Sequence, residues 1–466
     1  MNVQICIDPV EHGSSTVTER RSVGDTIETC TRRKKKITTK SLSRTLSVRI
    51  VSLPILREVI TVKSNIVLEK YARTCGKGYL SNVLQEALLQ ESFENLSLGR
   101  EKSILRVGGG EEEAYPSHRE VTVTAREVVL RKCGQTEPLP FEKCYPNSAL
   151  QHCQKIGEGV YGEVFLFRRP IGGGTSVIKV IPIEGSLIVN SERQKKFEEI
   201  LSEITIAMEL SDLRSNARNS TNCFNEMRKA TCVQGRYPER LLELWELYEE
   251  SRGSENDHPE MFDADQLYIV LELANGGSDM ESFVFNNAQQ AYALVTQVAC
   301  ALAVAESSLQ FEHRDLHWGN ILISHADNSN NDNTISFRLD GKNITLDTYG
   351  IQVAIIDFTL SRISLDDVCI YNDLALDPDQ FTATGDHQFE LYRLMQKENG
   401  NKWQHFEPYT NILWLSYIIE KAIDGVRYRK PTCKAHAKYI RHLKELKSEI
   451  LHYKSAKALV TDKFLI

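Results

Sequence analysis

Residues 311–323 read FEHRDLHWGNILI. Within them H-R-D-L-x-x-x-N sets Asp315 and Asn320 five positions apart, and the apolar run that follows is a strand able to fix the loop before it. A carboxylate there can orient an attacking hydroxyl and take its proton. An amide oxygen five residues on can hold a magnesium ion beside it. Phosphoryl transfer needs both groups, and this eight-residue pattern ahead of an apolar strand rarely arises by chance.

Working outward, residues 353–360 read VAIIDFTL, an apolar strand delivering Asp357 between Ile356 and Phe358. A carboxylate buried there is costly without a cation, and magnesium bridging nucleotide phosphates is a natural one. The position matches the metal-binding D-F-G of kinases, with Thr359 in place of glycine. Upstream, SVIKVIPI at 176–183 is a β-branched strand with one cation, Lys179. An unpaired buried ammonium costs several kcal/mol, so Lys179 either reaches water at a strand edge or meets phosphates and a helix glutamate. Residues 191–210 are expected as that helix, because Phe197, Ile200, Leu201, Ile204, Ala207 and Met208 recur at steps of three and four. Helix acids mostly face solvent, but Glu203 lies on the flank of the apolar face and is better placed to look inward than Glu198 or Glu199.

Before these, IGEGVYGEV at 156–164 carries Gly157, Gly159 and Gly162 as G-x-G-x-x-G. Glycines let backbone N–H groups approach phosphate oxygens. The same spacing opens a dinucleotide-binding fold, and Glu184 stands at a suitable distance for its ribose. The pattern at 311–323 sets that alternative aside. The loop is then a β-hairpin with Ile156, Glu158 and Val164 around the nucleotide. Order and spacing across all five elements resemble a eukaryotic-type protein-kinase core.

The chain has 466 residues, 41% hydrophobic and 26% charged, which excludes collagen-like, coiled-coil and wholly disordered classes. A net charge of −7 does not suggest a nucleic-acid coat protein. The most apolar stretch, 291–309, is interrupted by Thr296, Gln297 and Glu306, so a membrane span is not expected. Nor is a secretory signal expected at the N-terminus. Eleven cysteines without a C-x-x-C pair point to reduced thiols rather than a disulfide framework or structural zinc.

Residues 1–140 are expected to be a mostly disordered, basic, Ser/Thr-rich tail, since 1–60 hold eleven Lys/Arg against six Asp/Glu and little apolar periodicity. Apolar islands at 46–62 and 121–130, the latter strand-like, could dock or bind transiently. The five cations 32–36 suit a nuclear localisation signal or a solvated run alike. Gly108, Gly109 and Gly110 ahead of Glu111, Glu112 and Glu113 form a linker, while 211–225, 251–259 and 327–333 are polar loops. The expected architecture is α+β and two-lobed, with a small lobe at 141–275 and a mainly helical large lobe at 276–466.

EHRDLHWGNILI (312–323), IDFTLSR (356–362), KIGEGVYGEVF (155–165), YRLMQKENGNKW (392–403), CVQGRYP (232–238) and DQLYIVLE (265–272) resemble the haspin kinases. Ordinary kinases carry lysine at the position of His317 and an A-P-E after the activation segment, which is missing here. The resemblance covers about 150–466. It implies a nuclear serine/threonine protein kinase, using ATP and Mg2+, that phosphorylates the third residue, a threonine, of the histone H3 tail in mitosis. It also implies an activation segment that needs no phosphorylation. Chromatin is the implied setting, with mitotic chromosomes and, beyond them, cytoplasm and spindle; a monomer is expected, with no membrane and no sequence-specific nucleic-acid partner. Phe358 departs from the family's usual tyrosine.

On this resemblance Glu272, Leu273 (the gatekeeper), Ala274, Gly276 and Asp279 line the nucleotide, with Asp279 near its ribose. His317, Asp279, Glu281, Asp377 and Asp379 contact substrate. Residues 364–380 independently hold five aspartates and no Lys or Arg, a field that attracts a basic peptide or is simply a solvated acidic loop. A dead kinase fold serving as a chromatin scaffold is the alternative. It would lack one of Lys179, Asp315, Asn320 or Asp357, and all are present. A small-molecule phosphotransferase would usually lack H-R-D and the full glycine loop.

Overall fold

The computed structural model describes residues 123–168, 174–326, 333–365 and 368–465, with the side chain of Asp379 excepted. The basic run at 32–36, the island at 46–62, the linker at 108–113 and most of the loop at 327–333 lie outside these residues.

The first described element is helix α1, Ala125–Lys132. The strand expected at 121–130 is therefore corrected. Thr124 and Glu127 form a capping box, with the Thr124 N–H donating to Glu127 Oε2 at 2.6 Å and the Glu127 N–H donating to Thr124 Oγ1 at 3.3 Å. That reciprocal pair starts a helix before the β-branched residues can extend. Val129 and Leu130 are fully buried against Ile200, Leu201 and Ile204, so residues 123–140, expected as tail, are folded onto the small lobe.

Six strands form the main sheet: β1 (Leu139–Pro140), β2 (Cys153–Gly159), β3 (Gly162–Arg168), β4 (Thr175–Ile183), β5 (Met227–Gln234) and β6 (Leu267–Ala274). Their spatial order is β1-β5-β6-β4-β3-β2, antiparallel except for β1 beside β5. The expected glycine-loop hairpin is β2–β3. Helix α2, Phe197–Asp212, begins six residues later than the periodicity predicts. Residues 192–193 instead pair with Ile188–Val189, and Glu199 accepts from the Lys196 N–H at 2.8 Å to start the helix there. One face of the sheet packs on α1 and the N-terminal half of α2, the other on Phe141, Phe262 and helix α3, Glu239–Arg252. Each buried Leu, Ile or Phe in these layers contributes about 1.5–3 kcal/mol.

The chain then crosses at Gly276 and Gly277. Gly277 has φ +93°, and a Cβ on it would stand 2.0 Å from the Ile323 carbonyl oxygen, so only glycine lets the hinge lie this close to the catalytic strand. The large lobe centres on helix α4, Ala288–Leu309. It is long and apolar enough to cross a membrane, yet 83% of its most apolar window is buried in the core. Around it lie β7 (Ser278–Asp279), β8 (Ile321–His325), the hairpin β9 (Thr334–Leu339) and β10 (Lys342–Asp347), and β11 (Ile351–Ile355). Helices α5 (Gln388–Glu398), α6 (Tyr409–Glu420), α7 (Lys434–Glu449) and α8 (Ala456–Phe464) complete it. Buried Gln297 of α4 donates to the Ile351 carbonyl at 3.2 Å and accepts from the Val353 N–H at 3.1 Å. Both ends of its amide are thus satisfied, and β11 is held where it delivers Asp357. Ile206, Ala207 and Leu210 of α2 belong to this second core, so one helix ties the lobes together. The eight described cysteines are all free.

Candidate active site

Val164, Lys179 and Leu271 stand directly opposite one another across β3, β4 and β6, which puts them on one face of the sheet. Lys179 Nζ meets Glu203 Oε1 at 3.1 Å, so the glutamate on the flank of α2 does turn inward. A second cation was not legible from the sequence: Lys195 Nζ holds Glu203 Oε2 at 2.6 Å and lies 4.4 Å from the ring of Tyr161 at the glycine-loop tip. Burial alone would lift the Glu203 and Asp357 carboxyls. The two lysines outweigh it and hold both below the usual carboxylate range, while the two carboxylates keep the Lys179 ammonium above its own.

The glycine loop divides its work. A Cβ on Gly162 would stand 2.1 Å from the Val180 carbonyl oxygen, so this glycine serves the close approach of β3 to β4. Gly159 has open space around it, as an approaching phosphate requires. Gly157 is buried, and Ile156 and Val164 are half-buried. The Glu158 carboxylate is taken up by partners within the small lobe. It pairs with buried Lys155 at 2.5 Å and accepts from Ser254 Oγ at 2.6 Å and the Glu255 N–H at 2.7 Å. Asn256 Nδ2 adds a bond to the Gly159 carbonyl at 3.1 Å, so the polar loop after α3 buttresses the hairpin.

In the catalytic loop, Asn320 Nδ2 donates to the Asp315 carbonyl at 2.9 Å, which leaves the amide oxygen for another partner. His313 bridges this loop to the next: its Nδ1 accepts the Asp315 N–H at 3.3 Å and Nε2 meets the Ile356 carbonyl at 3.1 Å. Burial pushes His313 down to about 4, so it is neutral at neutral pH and Nε2 is the donor. Asp357 sits at φ +60°, a conformation aspartate tolerates, and accepts from the Thr359 N–H at 3.2 Å. Phe358 packs on Phe224, Phe311 and His313, contacts that need a ring and no hydroxyl.

Arg314 also has positive φ, +66°, which is strained for a long side chain. Its fully buried guanidinium pays for that by bonding Glu312 Oε1 at 3.0 Å and the Trp403 carbonyl at 2.7 Å. Glu312 and Arg362 exchange backbone bonds at 3.0 and 2.9 Å, stitching the catalytic loop to the hairpin Arg362–Leu365 and Val368–Tyr371. The arginine's charge is thus met from inside the chain.

The hinge and acceptor residues fare differently from one another. Leu273, opposite Val177, shares the lysine's face and is half-buried; Ala274 lies opposite Ser176, and Gly276 is buried against Leu322. Glu272 points to the other face, where Ser176 Oγ donates to it at 3.0 Å, so it can offer a nucleotide only its backbone. Asp279 is buried, and both its oxygens accept from Ser282, at 2.7 and 2.8 Å. Its clearest task is to hold the turn after the hinge. Glu281 is exposed; partial burial, then Asp279 and Asp386, raise its carboxyl against the pull of Lys421. His317 is buried, with Nδ1 accepting from the Gly319 N–H at 3.1 Å. Asp377 was expected on an acidic surface but is 2% exposed; its N–H caps the 3₁₀ turn Leu374–Leu376, whose Leu374 is fully buried. Asp379 follows in the turn Pro378–Phe381, its side chain outside the described part, as are Asp366 and Asp367 entirely.

Residues 119–463 match the family described as Haspin like kinase domain. The chain is 47% identical over 335 residues to the serine/threonine-protein kinase haspin homolog of Drosophila melanogaster, covering 71% of this chain and 58% of that protein. It is 42% identical over 340 residues to serine/threonine-protein kinase haspin of Mus musculus, covering 72% and 44%. With the homolog of Arabidopsis thaliana it shares 38% over 361 residues, covering 76% and 57%. The chain thus spans about half the length of these relatives. A match that begins before α1 and runs into α8 takes in the segments peculiar to this chain as well as the general kinase core, and the chain belongs to the haspin-like kinase domain family.

Proposed function

We propose that the chain is an ATP-dependent serine/threonine protein kinase of haspin type. In this reading it transfers the γ-phosphate of ATP to a threonine near the N-terminus of the histone H3 tail, on chromatin in the mitotic nucleus. The observation that carries the reading is the assembled state of the site: Lys179 already paired with Glu203, and Arg314 already neutralised by Glu312. Elsewhere such an arginine can receive a phosphate on the activation segment. Here no phosphate is needed to order it, which supports activity without prior phosphorylation.

Asn320 and Asp357 suit a magnesium ion, since an amide oxygen and an ionised carboxylate are hard oxygen donors. Bound there, magnesium would offset the charge of the nucleotide phosphates. Lys179 would hold the α- and β-phosphates, and Gly159 would admit backbone close to them. Asp315 would accept the proton of the acceptor hydroxyl as that oxygen bonds to the γ-phosphorus and ADP leaves.

The basic partner is supported by Asp279, Glu281 and Asp386, whose like charges act on one another with only Lys421 set against them. The deciding experiment incubates the purified chain with ATP, magnesium and an H3 tail peptide carrying threonine, serine or alanine at position three. Labelling of the threonine peptide with loss in the alanine peptide is expected; equal labelling of all three removes the substrate assignment. Because Asp377 is buried, neutralisation is the cleaner probe there, with reversal kept for Asp379. Asp377→Asn and Asp379→Lys are each expected to raise the peptide KM by about tenfold while leaving the ATP KM near the parent value. Unchanged peptide kinetics in both variants would dismiss an acidic peptide site.

A further inference from the structure

We propose that Tyr392 is a positioning residue for phosphoryl transfer, its hydroxyl fixing the rotamer of the Asp315 carboxylate. The two side chains come from elements 77 residues apart, and the phenol donates to Asp315 Oδ1 at 2.5 Å. Tyr392 belongs to the YRLMQKENGNKW stretch, which resembles the family but has no task in the mechanism above. The inference rests on the reading of Asp315 as the group that meets the acceptor hydroxyl.

Asp315 is otherwise held through its backbone. Its N–H donates to His313 and its carbonyl accepts from Asn320, which fixes the loop but not the side-chain torsion. The phenol supplies that constraint. With Oδ1 engaged by Tyr392, Oδ2 is the oxygen turned to the acceptor. The donor is itself immobile: Tyr392 is 2% exposed and its ring lies edge-on to Trp414 at 5.7 Å. Burial, and then the neighbouring Asp315 charge, keep its hydroxyl protonated far above neutral pH, so it remains a donor throughout. The next residue, Arg393, bonds the Phe381 and Ala383 carbonyls at 3.1 and 3.0 Å. Helix α5 therefore grips the acceptor-side turn and the Asp315 carboxylate from adjacent positions, aligning one with the other.

Tyr392→Phe keeps the ring and deletes only the hydroxyl. A loosened carboxylate is expected to lower kcat by about 10- to 100-fold, because small misplacements of a reacting group have effects of that order. The ATP dissociation constant and the melting temperature should stay close to the parent's. Added to Asp315→Asn, the same change should cost little more, since residues acting as a unit are not additive. Assays use the full chain and whichever peptide the parent labels. A parental kcat in Tyr392→Phe, or a kcat loss matched by loss of ATP binding or a collapse in melting temperature, overturns the proposal. Asp315→Asn, measured alongside, separates the two readings. If it keeps the parental rate, the assignment of Asp315 has failed. If it is inactive while Tyr392→Phe is not, only the positioning role has failed.

Discussion

Asp315→Asn is expected to lower kcat by about 10²- to 10⁴-fold, the span that a positioned general base contributes. The substitution is close to isosteric, and the loop around it is fixed by groups other than the carboxylate. The His313 and Asn320 bonds run to the Asp315 backbone and survive the change. An amide can still accept from Tyr392, so the fold has little reason to respond. Lys179 and Glu203 lie on small-lobe elements and Asp357 on the loop after β11, none of them bonded to this carboxylate, and ATP affinity should hold. Transfer rate should therefore collapse while nucleotide binding and melting temperature stay near the parent values. Comparable labelling of peptide by the variant and the parent would contradict the phosphotransfer reading altogether.

The residues that resist this kind of substitution were also the most legible in sequence. H-R-D-L-x-x-x-N, the lone lysine in SVIKVIPI and the aspartate within VAIIDFTL are local patterns. The structure reproduces each strand: the first pattern runs into Ile321–His325, Lys179 lies in the middle of Thr175–Ile183, and Asp357 follows Ile351–Ile355. What escaped was set by partners distant in sequence. Nothing local showed that Arg314 is buried between Glu312 and the Trp403 carbonyl, 89 residues beyond that arginine. Asp377 read as part of an exposed acidic peptide-binding surface, because charge counts carry no information about which turn folds inward. Glu158 read as a nucleotide contact, although its partners Ser254 and Glu255 lie nearly a hundred residues on. The strand expected at 121–130 failed for a local reason. Its T-x-x-E box outranks β-branched content when the apolar residues after it can pack on a neighbouring helix, here α2.

The same distinction between local pattern and assembled charge governs the largest stability effect expected. Lys179, Lys195, Glu203 and Asp357 form a group of two cations and two carboxylates, and Glu203 alone touches both lysines. Its side chain is 7% exposed, that of Lys195 8% and that of Lys179 21%, so water cannot take over if the carboxylate is lost. Glu203→Gln leaves two ammonium groups facing a neutral amide. Breaking a buried pair in this way costs about 3–5 kcal/mol. It should also remove activity, because Lys179 loses the carboxylate that aims it. Restoring charge balance separates the two effects. In the double variant Lys195→Met with Glu203→Gln, one cation remains opposite Asp357 and no excess positive charge is buried. Thermal melting should recover most of the loss, whereas kcat should remain as low as in Glu203→Gln. Stability losses that simply add in the double variant would mean that the two lysines do not share this carboxylate as a coupled unit. Recovery of kcat together with stability would show that Glu203 serves only to balance charge and that Lys179 needs no aiming.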